Sequence, residues 1–351
     1  MRIGIPRELK PLEGRVGLIP AACGELVRQG HEVFIESSAG VKSGYTDDQY
    51  RELGVTVLDT ADALFEKAEM IIKVKEPIEP DLKRLRKDHL LFCYLHLAAE
   101  PELTARLKKI GLTAVAFETV EEGGNLPLLA PMSDIAGRIS IQVATHLLHQ
   151  PEGGKGILLG GVPAAKRGKV VIIGCGMAGG NAAQMAAGLG AEVVVFDKDP
   201  AKLAWARTFG SNVTALYPHT DDVIDQLKTA DIAVGAVLVA GARAPHVISK
   251  EAVRRMQPGS VVVDISVDQG GCVESTRPTT YDDPTYEWEG VTHFTVTNMP
   301  GAVPRTASQA LSAAIAPYCV RLANGQWRDY EPLIKGINVE NGKVVHPAIE
   351  G

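Results

Sequence analysis

Residues 170–180 read Val-Val-Ile-Ile-Gly-Cys-Gly-Met-Ala-Gly-Gly, and this stretch limits the fold more than any other. A short apolar run rich in β-branched residues is the pattern of a strand buried on both faces of a parallel sheet. The glycines read as a tight turn, and residues 181–189 as a small-residue helix able to pack close to a sheet. Gly174-x-Gly176-x-x-Gly179 therefore follows a strand and opens a helix, the context that a dinucleotide fingerprint requires. In that role Gly174 permits the turn, Gly176 lets backbone N–H groups reach a pyrophosphate, and Gly179 lets helix and strand approach. The helix N-terminus adds partial positive charge. A plain helix packed on a strand leaves the same trace. The two readings are separated by a second strand of the same character, 191–196, which ends in Asp197. That position is close to the offset of about 20 residues at which an acid accepts the ribose hydroxyls. Asp197 repels a 2′-phosphate and so favours NAD over NADP; Lys198 beside it softens the preference.

The 351 residues leave room for two domains with their own cores. A chain 45% hydrophobic and 22% charged has the balance of a soluble globular protein. The net charge of −6 gives no basic footprint for nucleic acid. Charged residues break every apolar run before the length of about 18 that a membrane span needs. The opening Met-Arg-Ile-Gly-Ile-Pro runs straight into a strand and has no signal-peptide core. Cys23, Cys93, Cys175, Cys272 and Cys319 are scattered, odd in number and form no C-x-x-C pair, as expected of reduced thiols in a cytoplasmic enzyme. No His/Cys/Asp cluster has ligand spacing. His146 and His149 lie three apart on a predicted helix without further ligands nearby, so no metal is expected.

The first third alternates strands at 2–5, 32–35, 70–74, 90–95 and 113–117 with helices at 20–29, 61–67 and 101–109. That alternation implies a mainly parallel, doubly wound sheet. This region lacks a glycine fingerprint and is expected to supply the substrate groups. A long helix follows at 131–149, then a glycine-rich entry at 153–161, the fingerprint strand, the Asp197 strand, and strands at 232–239, 260–266 and 292–296. An alanine-rich helix at 307–323 precedes a turn-rich tail from Asn324. The expected architecture is α/β: two doubly wound Rossmann-like domains with a cleft between, joined by two long helices. Residues 1–130 and 305–351 form a discontinuous substrate domain, and 131–304 the dinucleotide domain with its linker helix.

Ligands of open α/β sheets bind at the carboxyl ends of strands, so polar groups there are the candidates. Lys75 and Glu76 follow the strand at 70–74, His96 the strand at 90–95, and Glu118 the strand at 113–117. Asp268 lies just beyond the strand ending at Ser266, and Arg15 sits in the loop after the first strand. Each has a plainer alternative. A histidine closing a strand is often a capped structural residue. One of Lys73 and Lys75 could be a solvated surface lysine. Asp268 could hold a turn, and Arg15 could belong to a surface ion pair of little worth. Their shared place on one edge points to an NAD enzyme without naming the substrate.

Nine stretches, in order, resemble the alanine dehydrogenase family: ArgIleGlyIleProArgGlu (2–8), GluGlyArgVal (13–16), LysValLysGluPro (73–77), TyrLeuHisLeuAlaAla (94–99), ProLeuLeuAlaProMetSer (127–133), GlyAlaValLeuVal (235–239), AspIleSerValAspGlnGlyGlyCys (264–272), ArgProThrThrTyrAsp (277–282) and AsnMetProGly (298–301). They cover nearly the whole chain. The resemblance implies reversible conversion of L-alanine, NAD and water to pyruvate, ammonium and NADH. It implies Arg15 and Lys75 on the substrate carboxylate and oxygen, with His96 and Asp268 as acid/base groups. It implies Ser133, Asp197, Lys202, Val237, Leu238, Arg277, Asn298 and Met299 around the cofactor. Met177 and Ala178 of the fingerprint, and Ile265, Ser266, Val267, Asp268, Val296 and Thr297 at the strand ends, complete the cofactor set. It also implies a cytoplasmic homohexamer.

These residue types suit that chemistry. A carboxylate needs a cation, and arginine can bind it bidentately. Water must add after hydride leaves Cα, and an imidazole near neutral pKa suits the proton transfers. A lysine can offset charge on the developing carbonyl, and Asp268 could stabilise the iminium and orient water. There are departures: Phe117 stands where some members carry tyrosine, Pro218-His219 where a serine can meet the adenosine, and the chain ends at Gly351, shorter than many members. Two other functions fit the same plan. One is a dehydrogenase for a larger amino acid, with a wider pocket. The other is the NADH-binding subunit of a proton-pumping transhydrogenase, which handles no amino acid.

Overall fold

The computed structural model describes residues 1–237 and 244–349. The chain divides into two compact units, Met1–Met132 with Val303–Gly351, and Ser133–Ala302. In chain order the first unit runs β1 (Arg2–Ile5), α1 (Pro20–Arg28), β2 (Glu32–Glu36), α2 (Asp47–Arg51), β3 (Thr56–Leu58), α3 (Ala61–Lys67), β4 (Met70–Ile72), α4 (Glu79–Leu82), β5 (Leu90–Cys93), α5 (Pro101–Ile110) and β6 (Thr113–Ala116). Helix α6 (Ala130–Leu147) crosses into the second unit. There follow β7 (Lys169–Ile173), α7 (Met177–Gly188), β8 (Glu192–Phe196), α8 (Pro200–Ala206), β9 (Val213–Leu216), α9 (Thr220–Lys228), β10 (Ile232–Gly235), α10 (Lys250–Arg254), β11 (Val261–Asp264), β12 (Thr285–Trp288) and β13 (Val291–Phe294). The first unit resumes with α11 (Pro304–Ala323), α12 (Glu331–Lys335), β14 (Ile337–Glu340) and β15 (Lys343–Val344).

The two sheets repeat one plan. The first has the order β3-β2-β1-β4-β5-β6, continued by β14 and β15; the second has β9-β8-β7-β10-β11-β13, continued by β12. Within each, the six strands named first are parallel, and the added strands are antiparallel. This is the doubly wound dinucleotide-fold order, with its reversal between β1 and β4 in one sheet and between β7 and β10 in the other. The central strands are buried on both faces because helices cover each side. Met70, Ile71 and Ile72 of β4 and Val261, Val262 and Val263 of β11 are all fully buried. Such strands read as continuous apolar runs instead of alternating ones.

The structure departs from the sequence reading in specific places. Pairing in β4, β5 and β6 stops one or two residues before the expected ends. The segments that follow the three strands carry Lys73, Lys75, Tyr94, His96 and Glu118. The expected helix at 181–189 begins at Met177, so Gly179 lies inside its first turn. Strands β3, β9, β12, β14 and β15 were not expected. The turn-rich tail folds into a hairpin whose turn is Asn341-Gly342, with φ of 50° and 76°, and Glu289-Gly290 joins β12 to β13 with φ of 52° and 74°. Paired positive φ values are those of a type I′ turn, which matches the twist of the strands it connects.

Two serines one turn apart on α11 fix the loop after β1. The N–H groups of Val16 and Ile19 donate to Ser308 Oγ at 3.0 Å and Ser312 Oγ at 3.1 Å. Ser43 Oγ bonds Gly14 O and Ser308 Oγ, both at 2.8 Å. A loop with its backbone polar groups satisfied in this way can be buried, and Arg15 is at its centre.

Candidate functional site

In the first unit the polar candidates gather on the carboxyl-end edge of the sheet. Arg15 is 3% exposed, not the surface residue that the plainer reading allowed. Its Nε donates to Glu13 Oε1 at 2.7 Å and its Nη2 to Glu13 Oε2 at 2.6 Å, a two-pronged, charge-assisted pair. Nη1 faces Met132 Sδ at 3.2 Å. Burial opposes the guanidinium charge, but Glu13 outweighs it and holds the pKa above the ordinary arginine value.

The two lysines after β4 have separate fates. Lys73 is 1% exposed and is held by Glu8 and Asp81, each at 3.3 Å. Burial works against its charge and the two carboxylates overcome it. It is a structural cation, and the idea of a solvated lysine fails for it. Lys75 is half-buried. Burial, then the Arg15 charge, pull its pKa below the ordinary lysine value. The two cations thus press on each other at the sheet edge.

His96 has φ of 52°, the left-handed region where few non-glycine residues sit. Its ring stacks on Tyr94 with centroids 5.9 Å apart and planes at 8°. Tyr94 is locked by its hydroxyl, which donates to Leu128 O at 2.6 Å, and by an edge contact with Phe117 at 5.0 Å. Glu118 presents its carboxylate to the backbone N–H of His96 at 2.6 Å and of Leu95 at 3.1 Å.

In the second unit Gly174 makes the expected tight turn and Gly179 the expected close approach of helix and strand. Gly174 has φ of 98°, and a Cβ there would lie 2.5 Å from Ala236 O. A Cβ on Gly179 would lie 1.8 Å from Gly174 O, so helix and turn meet too closely for any side chain. A Cβ on Gly176 meets nothing within 4 Å. Gly176 is also the N-cap of α7, which has no side-chain cap and no acidic residue in its first turn. An open cradle at a helix end whose N–H groups lack a side-chain acceptor fits a pyrophosphate. Asp197 is half-buried beside that turn; its carboxylate accepts the N–H of Cys175 at 2.6 Å and of Asp199 at 2.9 Å.

Several of the other cofactor candidates follow β10, β11 and β13, and Ser133 is on α6. Lys202 is exposed on α8, and Met177 and Ala178 open α7. Val237 is half-buried after β10, while Leu238 lies outside the described residues. Ile265, Ser266, Val267 and the exposed Asp268 follow β11. Val296, Thr297, Asn298 and Met299 follow β13, and Met299 O accepts the Tyr281 hydroxyl at 2.9 Å. Arg277 lies over the Tyr286 ring at 4.3 Å.

Two organising residues carried no role in the sequence reading. Glu13 was present only as part of a motif. Asp264, fully buried at the end of β11, accepts Ser266 N at 3.0 Å, Cys272 N at 2.9 Å, Val273 N at 3.0 Å and Thr276 Oγ1 at 2.7 Å. It folds the loop that carries Ser266, Val267 and Asp268. The available signal was an acid closing an apolar run of valines, where a charge must find donors. No group of His, Cys, Asp and Glu among the described residues could hold a metal ion, and His146 and His149 only meet ring edge to face at 5.7 Å. No helix among the described residues is long and apolar enough to cross a membrane.

The two dinucleotide-fold units, with the family that the chain matches, define a nicotinamide-dependent oxidoreductase of the amino-acid dehydrogenase class. The chain belongs to the alanine dehydrogenase family: residues 4–136 match "Alanine dehydrogenase/PNT, N-terminal domain" and residues 140–347 match "Alanine dehydrogenase/PNT, C-terminal domain". It is 46% identical to the alanine dehydrogenase of Methanococcus maripaludis, over 99% of this chain and 95% of that one. A solved L-alanine dehydrogenase superposes with a TM-score of 0.96 at 49% identity, covering 100% of this chain and 98% of the other. The transhydrogenase from Sinorhizobium meliloti superposes at 0.85 with 25% identity, covering 99% and 100%.

Proposed function

We propose that the protein catalyses the reversible, NAD-dependent oxidative deamination of L-alanine to pyruvate and ammonium. The observation that carries this reading is the pair of mutually repelling cations, Arg15 and Lys75, on the same sheet edge that carries His96 in a left-handed backbone. The relatives at 46–49% identity support alanine as the substrate over the transhydrogenase reading at 25%.

The first unit acts as the substrate domain and the second as the dinucleotide domain. Arg15, held by Glu13 on its Nε and Nη2 side, meets the substrate carboxylate. Lys75 sits on the substrate oxygen and offsets the charge that develops there. His96 moves the protons as water adds and ammonium leaves. Asp268 orients that water at the nicotinamide end. NAD held by the second unit would supply the hydride acceptor for Cα. Gly174, Gly176, Met177, Ala178 and Gly179 hold the pyrophosphate, and Asp197 takes the ribose hydroxyls and disfavours a 2′-phosphate. Ser133, Lys202, Val237, Leu238, Ile265, Ser266, Val267, Arg277, Val296, Thr297, Asn298 and Met299 complete the cofactor's surroundings. The five buried, free thiols suit a reducing cytoplasm, and the family likeness suggests a homohexamer.

The test is absorbance at the NADH wavelength. L-alanine with NAD should give steady turnover; L-lysine, glycine, and L-alanine with NADP should give little. Turnover with L-lysine but not L-alanine would reassign the substrate.

A further inference from the structure

The chain puts a conformational demand on His96 and supplies one side chain that meets it. At φ of 52° a residue with a Cβ is held against its own preference. Such a conformation persists only where the surroundings over-determine it. In this geometry the N–H groups of successive residues can converge on one point, a concavity built for an anion. Here the point is filled: Glu118 Oε1 accepts both Leu95 N at 3.1 Å and His96 N at 2.6 Å, and Oε2 lies 3.2 Å from Leu95 N. The His96 carbonyl is also committed, accepting Ala99 N at 2.9 Å. With the backbone fixed, the imidazole rests flat against Tyr94.

We propose that Glu118 is the positioning residue for His96: its carboxylate closes the two-amide concavity and sets the imidazole on Tyr94 in its working orientation. The inference rests on the reading of His96 as the group that moves protons. It assigns Glu118 no proton transfer of its own. Cys93, Tyr94 and His346 are the titratable groups that feel the Glu118 charge.

Two variants separate the roles. Glu118→Leu removes the acceptor, whereas Glu118→Gln keeps an oxygen where Oε1 now takes both N–H groups. Loss of orientation at a catalytic group is worth about 100-fold, so kcat with L-alanine and NAD should fall by that order in Glu118→Leu. KM for L-alanine should hold, because Arg15 and Lys75 are untouched. Glu118→Gln should recover most of kcat, with both limbs of the pH–rate profile in place. Crystal structures supply a readout independent of turnover: φ of His96 stays positive in Glu118→Gln and becomes negative in Glu118→Leu. If Glu118→Leu does not fold, Glu118→Asp carries the same test, its shortened carboxylate lowering kcat at constant KM. Equal loss in Glu118→Gln and Glu118→Leu, with one pH limb missing, would overturn the proposal in favour of direct proton transfer. A left-handed His96 in Glu118→Leu would overturn it outright. Should the wild type prove inactive on L-alanine, the assigned reaction fails, while the His96 backbone in the variants still decides whether Glu118 positions it.

Discussion

Glu13 holds Arg15 by both carboxylate oxygens, at 2.7 and 2.6 Å, inside a loop where each side chain is at most 3% exposed. Removing one partner of a buried pair leaves the other charge uncompensated, at a cost of about 3–5 kcal/mol. Glu13→Gln should therefore lose stability of that order in urea unfolding and raise KM for pyruvate more than it lowers kcat. Arg15→Met, which removes the cation, should bind NADH normally and lose pyruvate. If Glu13→Gln unfolds at the wild-type midpoint, the pair is not what fixes the loop.

The fingerprint glycines should separate folding from binding. A methyl on Gly179 collides with the Gly174 carbonyl at 1.8 Å, and overpacking of this kind costs about 1–3 kcal/mol or more. A methyl on Gly176 meets no protein atom within 4 Å. Gly176→Ala should then melt near the wild type but bind NADH at least tenfold more weakly, about 1.4 kcal/mol, by titration calorimetry. Gly179→Ala should lower the melting temperature. A Gly176→Ala variant with unchanged NADH affinity would remove the phosphate from this cradle.

Asp264 is the hub of the loop after β11. Asp264→Ala strands the N–H groups of Ser266, Cys272 and Val273, and one unsatisfied buried group costs about 1–3 kcal/mol. The expected result is a destabilised second unit with weakened NADH binding, seen by thermal shift with and without NADH. An equal NADH-induced shift in wild type and variant would show that the loop does not need this carboxylate.

How much of this was legible in the sequence depends on the range of the interaction. The glycine turn is a local matter of φ and close approach, so Gly174, Gly176 and Gly179 could be read directly; only the helix start was misplaced, by the few residues that a small-residue run leaves undetermined. Continuous apolar runs, separated by helical stretches, revealed the parallel core strands. Strands β14 and β15 went unread because two to four residues form a strand only when a partner such as β6 receives them, although Asn341-Gly342 was a usable hairpin signal. Lys73 and Lys75 look alike in sequence and differ only by which carboxylates the fold brings up. Glu118 and Asp264 each follow or close an apolar run, which marks them in sequence, but which backbone N–H groups they accept depends on the fold.

Lys75 gives the pH dependence. Burial and then Arg15 depress its pKa below 10.5, so the folded chain binds fewer protons than the unfolded one between the depressed and the ordinary value. Its contribution to folding therefore improves as pH rises through that window. Anion binding runs the other way, because the ammonium is lost over the same range. KM for pyruvate should rise on the alkaline side at a pH below the ordinary lysine range. Lys75→Arg, charged throughout, should flatten that rise; a rise unchanged in the variant would assign it to another group.

In the proposed reaction hydride passes from Cα of L-alanine to NAD. Incubation with L-alanine deuterated at Cα, followed by mass measurement of the NADH formed, tests it directly. One deuterium per NADH is expected, with pyruvate and ammonium released in equal amounts. Pyruvate formed with unlabelled NADH, or no NADH from an enzyme shown by calorimetry to bind NAD, would contradict it.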